Sequence, residues 1–159
     1  MMRSIGIAFC SALMLLAGVA PARADVTAFW GVSPTPTTRS TKGFAFGINL
    51  LVVGFELEYA NTAEDPLSLG PGLRTGMVNG LVQTPTSKTQ IYLTAGGGFF
   101  RERLGTDAET NIGTNIGGGV KIGLAGPLRL RLDYRVYSLR GAPIEPHPQR
   151  FYAGANLSF

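Results

Sequence analysis

The sequence predicts an all-β fold, an eight-stranded antiparallel up-and-down β-barrel that spans a membrane. Runs of about ten residues alternate between large apolar and small or charged side chains, which is the period of a strand. Turn-forming residues separate these runs in a chain that contains 22 glycines and 10 prolines. The connections alternate between long and short, as in barrels with short turns at one membrane face and longer loops at the other.

The first 24 residues are interpreted as a signal peptide. Arg3 supplies a positive charge, residues 5–19 are almost wholly apolar, and Ala22-Arg23-Ala24 has the small-x-small pattern of a cleavage site. The apolar run is shorter than the roughly 20 residues of a membrane-spanning helix. We therefore expect export, cleavage after Ala24 and a barrel domain over residues 25–159.

Composition excludes several classes of function. The only cysteine, Cys10, lies in the predicted signal peptide, so we expect no disulfide and no thiolate metal site. The formal net charge is +4, but Arg3 and Arg23 would leave with the signal. Without a basic cluster or a nucleic-acid module, no nucleic-acid partner is expected. One histidine and scattered carboxylates form no metal-ligand cluster, so we expect no metal and no cofactor.

Eight strands follow one another along the chain. We place them at residues 26–33, 42–49, 52–60, 72–83, 89–101, 113–123, 128–139 and 150–159. The connections are, in order, PTPTTRST, a tight reversal at Leu50-Leu51, NTAEDPLSLGP, PTSK, ERLGTDAETNI, LAGP and RGAPIEPHPQ. The strands are close to the length of about 9–11 residues that a tilted strand needs to cross the hydrocarbon.

In most of these strands the two faces carry different kinds of side chain. The second strand presents Phe44, Phe46 and Ile48 opposite glycine and alanine. The third strand presents Val53, Phe55, Leu57 and Tyr59 opposite Glu56 and Glu58. The sixth strand places Lys121 on a glycine-rich face, and the seventh, LRLRLDYRVY, alternates leucine with charged residues. The fourth and fifth strands alternate less cleanly, and their faces stay open.

We expect the apolar faces to contact lipid and the charged faces to share a narrow lumen. Unpaired charges would be costly there, so the near balance of acids and bases supports one charge network. Its predicted members are Glu56, Glu58, Lys121, Arg129, Arg131, Asp133 and Arg135. Six further arginines near strand ends are interpreted as rim charges within reach of lipid phosphates: Arg39, Arg74, Arg101, Arg103, Arg140 and Arg150.

The C-terminal third resembles a known family. The final strand, RFYAGANLSF, resembles the terminal strand of bacterial outer-membrane barrels, and IGGGVKIGLAGPLRLRLDYRVYSLRG resembles the penultimate hairpin of OmpA/OmpX-like and opacity-type surface-antigen barrels. The resemblance implies a Gram-negative outer-membrane location, with lipopolysaccharide, periplasmic chaperones and the barrel assembly machinery as partners. It implies an assembly signal at Phe151, Tyr152, Leu157 and Phe159, and loops that contact a surface or host ligand. It supplies no catalytic residue.

We therefore expect a small non-enzymatic surface barrel with a salt-bridged, largely plugged lumen and four exposed loops. One alternative is a lipid A-modifying enzyme of the deacylase or acyltransferase type. His147 is followed by Pro148 and Gln149, so it lacks the His-x-Ser of deacylase barrels, but Ser40, Ser68 and Ser138 lie near the predicted outer rim. A second alternative is a soluble, lipocalin-like periplasmic barrel, which would have an apolar lumen and a polar exterior.

Overall fold

Eight antiparallel strands, arranged in sequence order, close into a barrel. The structure is a computed structural model and describes residues 22–85 and 88–159. The strands are β1 (Ala22–Ser33), β2 (Arg39–Leu50), β3 (Val53–Thr62), β4 (Gly72–Gln83), β5 (Thr89–Leu104), β6 (Asp107–Ala125), β7 (Leu128–Leu139) and β8 (Gln149–Ser158). Because β8 pairs with β1, the sheet has no open edge. The predicted all-β, up-and-down fold class is confirmed.

The predicted strand bounds hold best where glycine and proline delimit a strand. The bounds of β4 and β7 match the prediction. The long connection predicted over ERLGTDAETNI is wrong, because β5 and β6 continue through it and only Gly105 and Thr106 join them. Gly105 has a φ of 61°, in the left-handed region that glycine adopts without strain, and this allows so tight a turn. The two strands therefore form an extended hairpin.

The barrel has two dissimilar ends. Both ends of the folded sheet and the short connections at residues 51–52 and 126–127 lie at one of them, the terminus end, together with the adjoining ends of β4 and β5. The other, the loop end, carries segments 34–38, 63–71 and 140–148 and the hairpin of β5 and β6. Ala24 and Phe159 exchange two backbone hydrogen bonds of 2.9 Å where the seam closes. Residues 1–21 of the predicted signal peptide lie outside the described residues.

The outer wall is apolar and the interior is polar and charged. On β3, Phe55 and Leu57 are 59% and 58% exposed, whereas Glu56 and Glu58 are 2% and 4% exposed. This is the reverse of a soluble ligand barrel, so the lipocalin-like alternative does not hold. An apolar outer wall is the arrangement that strands need when they face lipid. No helix within the described ranges is long and apolar enough to cross a membrane.

The faces of β4 and β5, which the sequence left open, are assigned by the structure. Leu73 and Met77 of β4 point inward, and Phe100 of β5 joins them. Together with Tyr137 and Leu139 they form an apolar cluster inside the barrel, towards the loop end. The faces could not be separated from sequence because both of them carry apolar or small side chains.

Replacing Gly119 by alanine should destabilise the barrel through overpacking. A Cβ there would lie 2.1 Å from the Leu132 carbonyl oxygen and 2.5 Å from the Tyr92 hydroxyl. We expect the free energy of unfolding to fall by about 1–3 kcal/mol. Urea unfolding in detergent micelles, followed by the fluorescence of Trp30, measures this change.

The matched control is Gly76→Ala. Gly76 lies on the outer wall, and a Cβ built there has no atom within 4 Å. Gly76→Ala should therefore unfold close to the wild-type midpoint, and equal destabilisation by the two substitutions would contradict this account of the interior.

Candidate functional site

The interior contains four carboxylates and four cations in direct ion pairs. They are Asp25, Glu56, Glu58 and Asp133 with Lys121, Arg131, Arg135 and Arg150. Each of these side chains is at most 4% exposed. Their formal charges cancel, which is the condition under which charges are tolerated away from water.

Two carboxylates and two guanidinium groups form the centre of this network. Glu56 pairs with Arg131, and also with Arg135 at 2.8 Å. Asp133 pairs with the same two arginines, at 3.2 Å from Arg131 and 2.9 Å from Arg135. The Tyr92 hydroxyl donates to Asp133 and accepts a hydrogen bond of 2.8 Å from Nε of Arg131. Each group in the centre therefore has at least two polar partners.

Further pairs extend the network towards both ends of the barrel. Towards the loop end, Glu58 lies 3.2 Å from Arg135 and also pairs with Arg150. Towards the terminus end, Nζ of Lys121 lies 2.6 Å from the Asp25 carboxylate, which also accepts a 2.9 Å hydrogen bond from Asn49. The pairs thus occupy successive levels along the barrel axis.

Six of the seven residues that the sequence suggested for a lumen network lie in these pairs. The exception is Arg129, which is half-buried near the turn at 126–127 and donates to the Gln90 side chain at 3.1 Å. Sequence reasoning missed two members, Asp25 and Arg150. The signal for Asp25 was its place one residue before Val26, on the same face as Thr27.

Two of the arginines interpreted as rim charges do not face lipid. Arg150 is an interior partner of Glu58, and Arg39 is 4% exposed and donates to the carbonyl oxygens of Thr35 and Thr37. Both side chains point to the inner face of their strands, so nearness to a strand end did not decide their orientation. Exposed arginines at the loop end are Arg74, Arg101, Arg103 and Arg140.

The predicted assembly signal lies at the seam between β8 and β1. Phe151, Leu157 and Phe159 are 48%, 47% and 70% exposed on the outer wall. Tyr152 instead points inward, where its ring stacks on Phe29 with 4.0 Å between the ring centroids. A role for these four residues in assembly stays a prediction.

His147, the candidate for a catalytic base, lies exposed in segment 140–148. Its backbone N–H donates to the Glu145 carboxylate at 3.0 Å. Within residues 22–85 and 88–159, no serine hydroxyl or carboxylate is hydrogen-bonded to its imidazole. The same residues contain no group of three or more metal-ligating side chains.

Comparisons with known proteins establish the fold. No family model and no curated protein matches the sequence. The N-terminal barrel domain of Pseudomonas aeruginosa OprF is similar, with a TM-score of 0.65 and 17% identity over 86% of this chain and 97% of that one. Neisserial surface protein A has a TM-score of 0.60 and 17% identity over 86% of this chain and 94% of its own.

The outer-membrane enzyme PagL has a similar fold, with a TM-score of 0.53 and 15% identity over 84% of this chain and 98% of PagL. The chain therefore has the fold of the eight-stranded, OmpA/OmpX-like outer-membrane barrels. Since an enzyme shares this fold, the architecture alone does not decide whether the chain has catalytic activity.

Glu56→Gln should destabilise the barrel by about 3–5 kcal/mol, because it leaves Arg131 and Arg135 short of a buried carboxylate. Urea unfolding in micelles and heat-modifiable migration on gels report the loss. Glu64→Gln makes the same chemical change at the loop end, in a pair whose Arg103 side chain is 62% exposed, so little change in the unfolding midpoint is expected. Similar midpoints for the two variants would refute a stabilising role for the interior pairs.

Proposed function

We propose that this chain is a small, non-enzymatic barrel of a bacterial outer membrane whose lumen is closed by ion pairs and whose interactions take place at the loop end. The observation that carries the proposal is the set of four carboxylates and four cations paired inside the barrel. An eight-stranded barrel is just wide enough for side chains to fill, so such a network leaves little room for a solute.

Packing at the loop end supports a closed lumen. The apolar cluster around Met77 and Phe100 fills the interior towards that end. Beyond it, the buried Glu102 carboxylate accepts backbone hydrogen bonds of 2.6 Å from Ile144 and 3.3 Å from Glu145. Because Glu102 points inward, these bonds hold segment 140–148 against the opening of the barrel.

Exposed apolar side chains at the loop end support contact with a partner. Leu67 and Leu69, in the segment between β3 and β4, are 98% and 68% exposed, and Ile144 is 51% exposed. These residues lie beyond the ends of the strands, where a barrel in a membrane meets water. Leucines in that position are suited to contact a surface or host ligand, the partner that we propose for the loops.

The proposed location rests on the wall and on the termini. We propose that residues 1–24 are a cleaved signal peptide, and that chaperones and the assembly machinery deliver the chain to the outer membrane. Phe151, Leu157 and Phe159 at the end of the chain face outward, an orientation that suits recognition by this machinery. The apolar wall then contacts lipid.

Conductance in planar lipid bilayers tests the closed lumen. The wild-type protein should give no stable conductance steps. The double variant Glu56→Ala/Arg131→Ala removes one anion and one cation together, so the interior remains neutral while two large side chains at its centre are truncated. This variant should open a water path and give small, stable steps.

The control for conductance is Leu57→Ala/Leu132→Ala, which truncates two side chains on the lipid-facing wall. Like the wild type, this control should give no stable conductance steps. Steady conductance of the wild-type barrel, at the level of the interior double variant, would rule out a closed lumen.

Lipid A acylation tests the non-enzymatic assignment. The purified protein, reconstituted with lipid A and phospholipid, should leave the mass of lipid A unchanged, and His147→Ala should behave identically. The exposed His147 and its lack of a hydrogen-bonded serine in the described chain support this expectation. Loss or gain of an acyl chain with the wild type, abolished in His147→Ala, would establish an enzyme instead.

A further inference from the structure

Three cations lie side by side on the outer wall near the loop end. In the register of the sheet, Lys42 of β2 pairs with Asn61 of β3, Asn61 with Arg74 of β4, and Arg74 with Arg101 of β5. All four side chains point away from the interior, and the three cations are exposed. We call these four residues the cation row. With strands about 4.8 Å apart, the row extends over about 14 Å.

The three cations of the cation row have no direct ion-pair partner within the part of the chain that the structure describes. No ion pair or side-chain hydrogen bond joins Lys42, Arg74 or Arg101 to another described residue. Arg74 and Arg101 lie directly opposite each other on neighbouring strands, an arrangement that is unfavourable for like charges. An anion bound between them would remove this repulsion.

A carboxylate, Glu64, lines the same cavity as Arg74 and Arg101, but it already has other partners. Glu64 accepts a hydrogen bond of 2.6 Å from the backbone N–H of Gly105 and pairs with Arg103 at 3.2 Å. The Gly105 N–H, and then Arg103, hold the pKa of the Glu64 carboxyl below its usual value. Glu64 is therefore ionised at neutral pH but engaged by Arg103 rather than by the cation row.

The cation row lies at the border of the apolar wall. One row closer to the terminus end, Phe44, Tyr59, Gly76 and Phe99 are in register with one another. The three aromatic side chains there are 59%, 41% and 68% exposed, as in the aromatic girdles of membrane barrels. In a membrane, aromatic girdles lie at the interface with water, so cations one row closer to the loop end are within reach of lipid phosphates.

Two adjoining surface cavities surround the cation row. One, of about 400 Å³, is lined by residues that include Asn61, Arg74, Arg101 and Arg103. The other, of about 520 Å³, is lined by Asn61 and Lys42 among others, so the Asn61 side chain separates the two. The cations are thus distributed over two sites, with an amide that can bind hydroxyl groups between them.

We propose that the cation row binds a phosphorylated glycolipid of the outer leaflet, with one phosphate between Arg74 and Arg101 and a second at Lys42. Arginine binds phosphate through two parallel hydrogen bonds, which suits the opposed Arg74 and Arg101. A headgroup with a single phosphate would satisfy only one end of the row. The proposal rests on the outer-membrane location given under Proposed function, and it specifies the lipid and its site.

Lipid retention tests the proposal. The full chain, folded in detergent micelles, is titrated with bis-phosphorylated lipid A, with its dephosphorylated form and with inorganic phosphate, and bound species are counted by native mass spectrometry. The wild type should bind the bis-phosphorylated lipid at least about tenfold more tightly than the dephosphorylated form. Arg74→Gln/Arg101→Gln should lose about tenfold or more of that affinity.

The control is Arg140→Gln, which removes an exposed arginine at the same end but outside the cation row, and it should retain lipid A. Equal loss in this control, an unaffected double variant, or inorganic phosphate binding as tightly as the lipid would each overturn the site. Heat-modifiable migration and bilayer conductance of the same preparations separate the two proposals. A folded, non-conducting barrel that binds phosphorylated and dephosphorylated lipid A equally would refute only the glycolipid site.

Discussion

Every charge that the closed wall removes from water must find a partner, and the rest of the structure depends on this pairing. Eight strands leave an interior that side chains just fill, and an unpaired carboxylate or guanidinium there costs on the order of several kcal/mol. The interior satisfies the constraint with equal numbers of carboxylates and cations. Because β7 and β8 supply three of the four cations and β3 supplies two of the carboxylates, the pairs also connect strands that are not neighbours in the sheet.

The same pairing accounts for the glycines on the inner face of β6. Large ionised side chains need space across the barrel, and β6 provides it by placing Gly117 opposite Arg135 and Gly119 opposite Asp133. Because side chains alternate along a strand, the residues next to these glycines face outward, and Ile116 before Gly117 is 66% exposed. The two-residue alternation of a strand thus places polar side chains in the interior and apolar side chains on the outer wall.

The contrast between the two faces of a strand determined how far the fold and the candidate site could be predicted from sequence. In β3 and β7 large apolar and charged residues alternate, so both faces follow from the pattern. In β4 and β5 the contrast disappears, because the apolar Met77 and Phe100 point inward and glycines occur on both faces, Gly76 on the outer one and Gly96 on the inner one. The alternation of β8 places Arg150 inward, and this signal outweighs its nearness to a strand end. The pairing of individual acids with individual bases depends on the register and stagger of the strands. Neither can be derived from the residue pattern within one strand.

The outer cations differ from the inner ones in what neutralises them, although the side chains are chemically the same. Arg131 and Arg135 are held by carboxylates of the chain itself, and their fixed geometry makes them part of the scaffold. Arg74 and Arg101 face each other across two strands without a carboxylate partner among the described residues. A neutral interior with unneutralised cations on the outer wall means that the compensating charge for the cation row must come from the surroundings. The interior charges are therefore neutralised without a ligand, whereas the cations on the outer wall are neutralised only by groups of the membrane around the barrel.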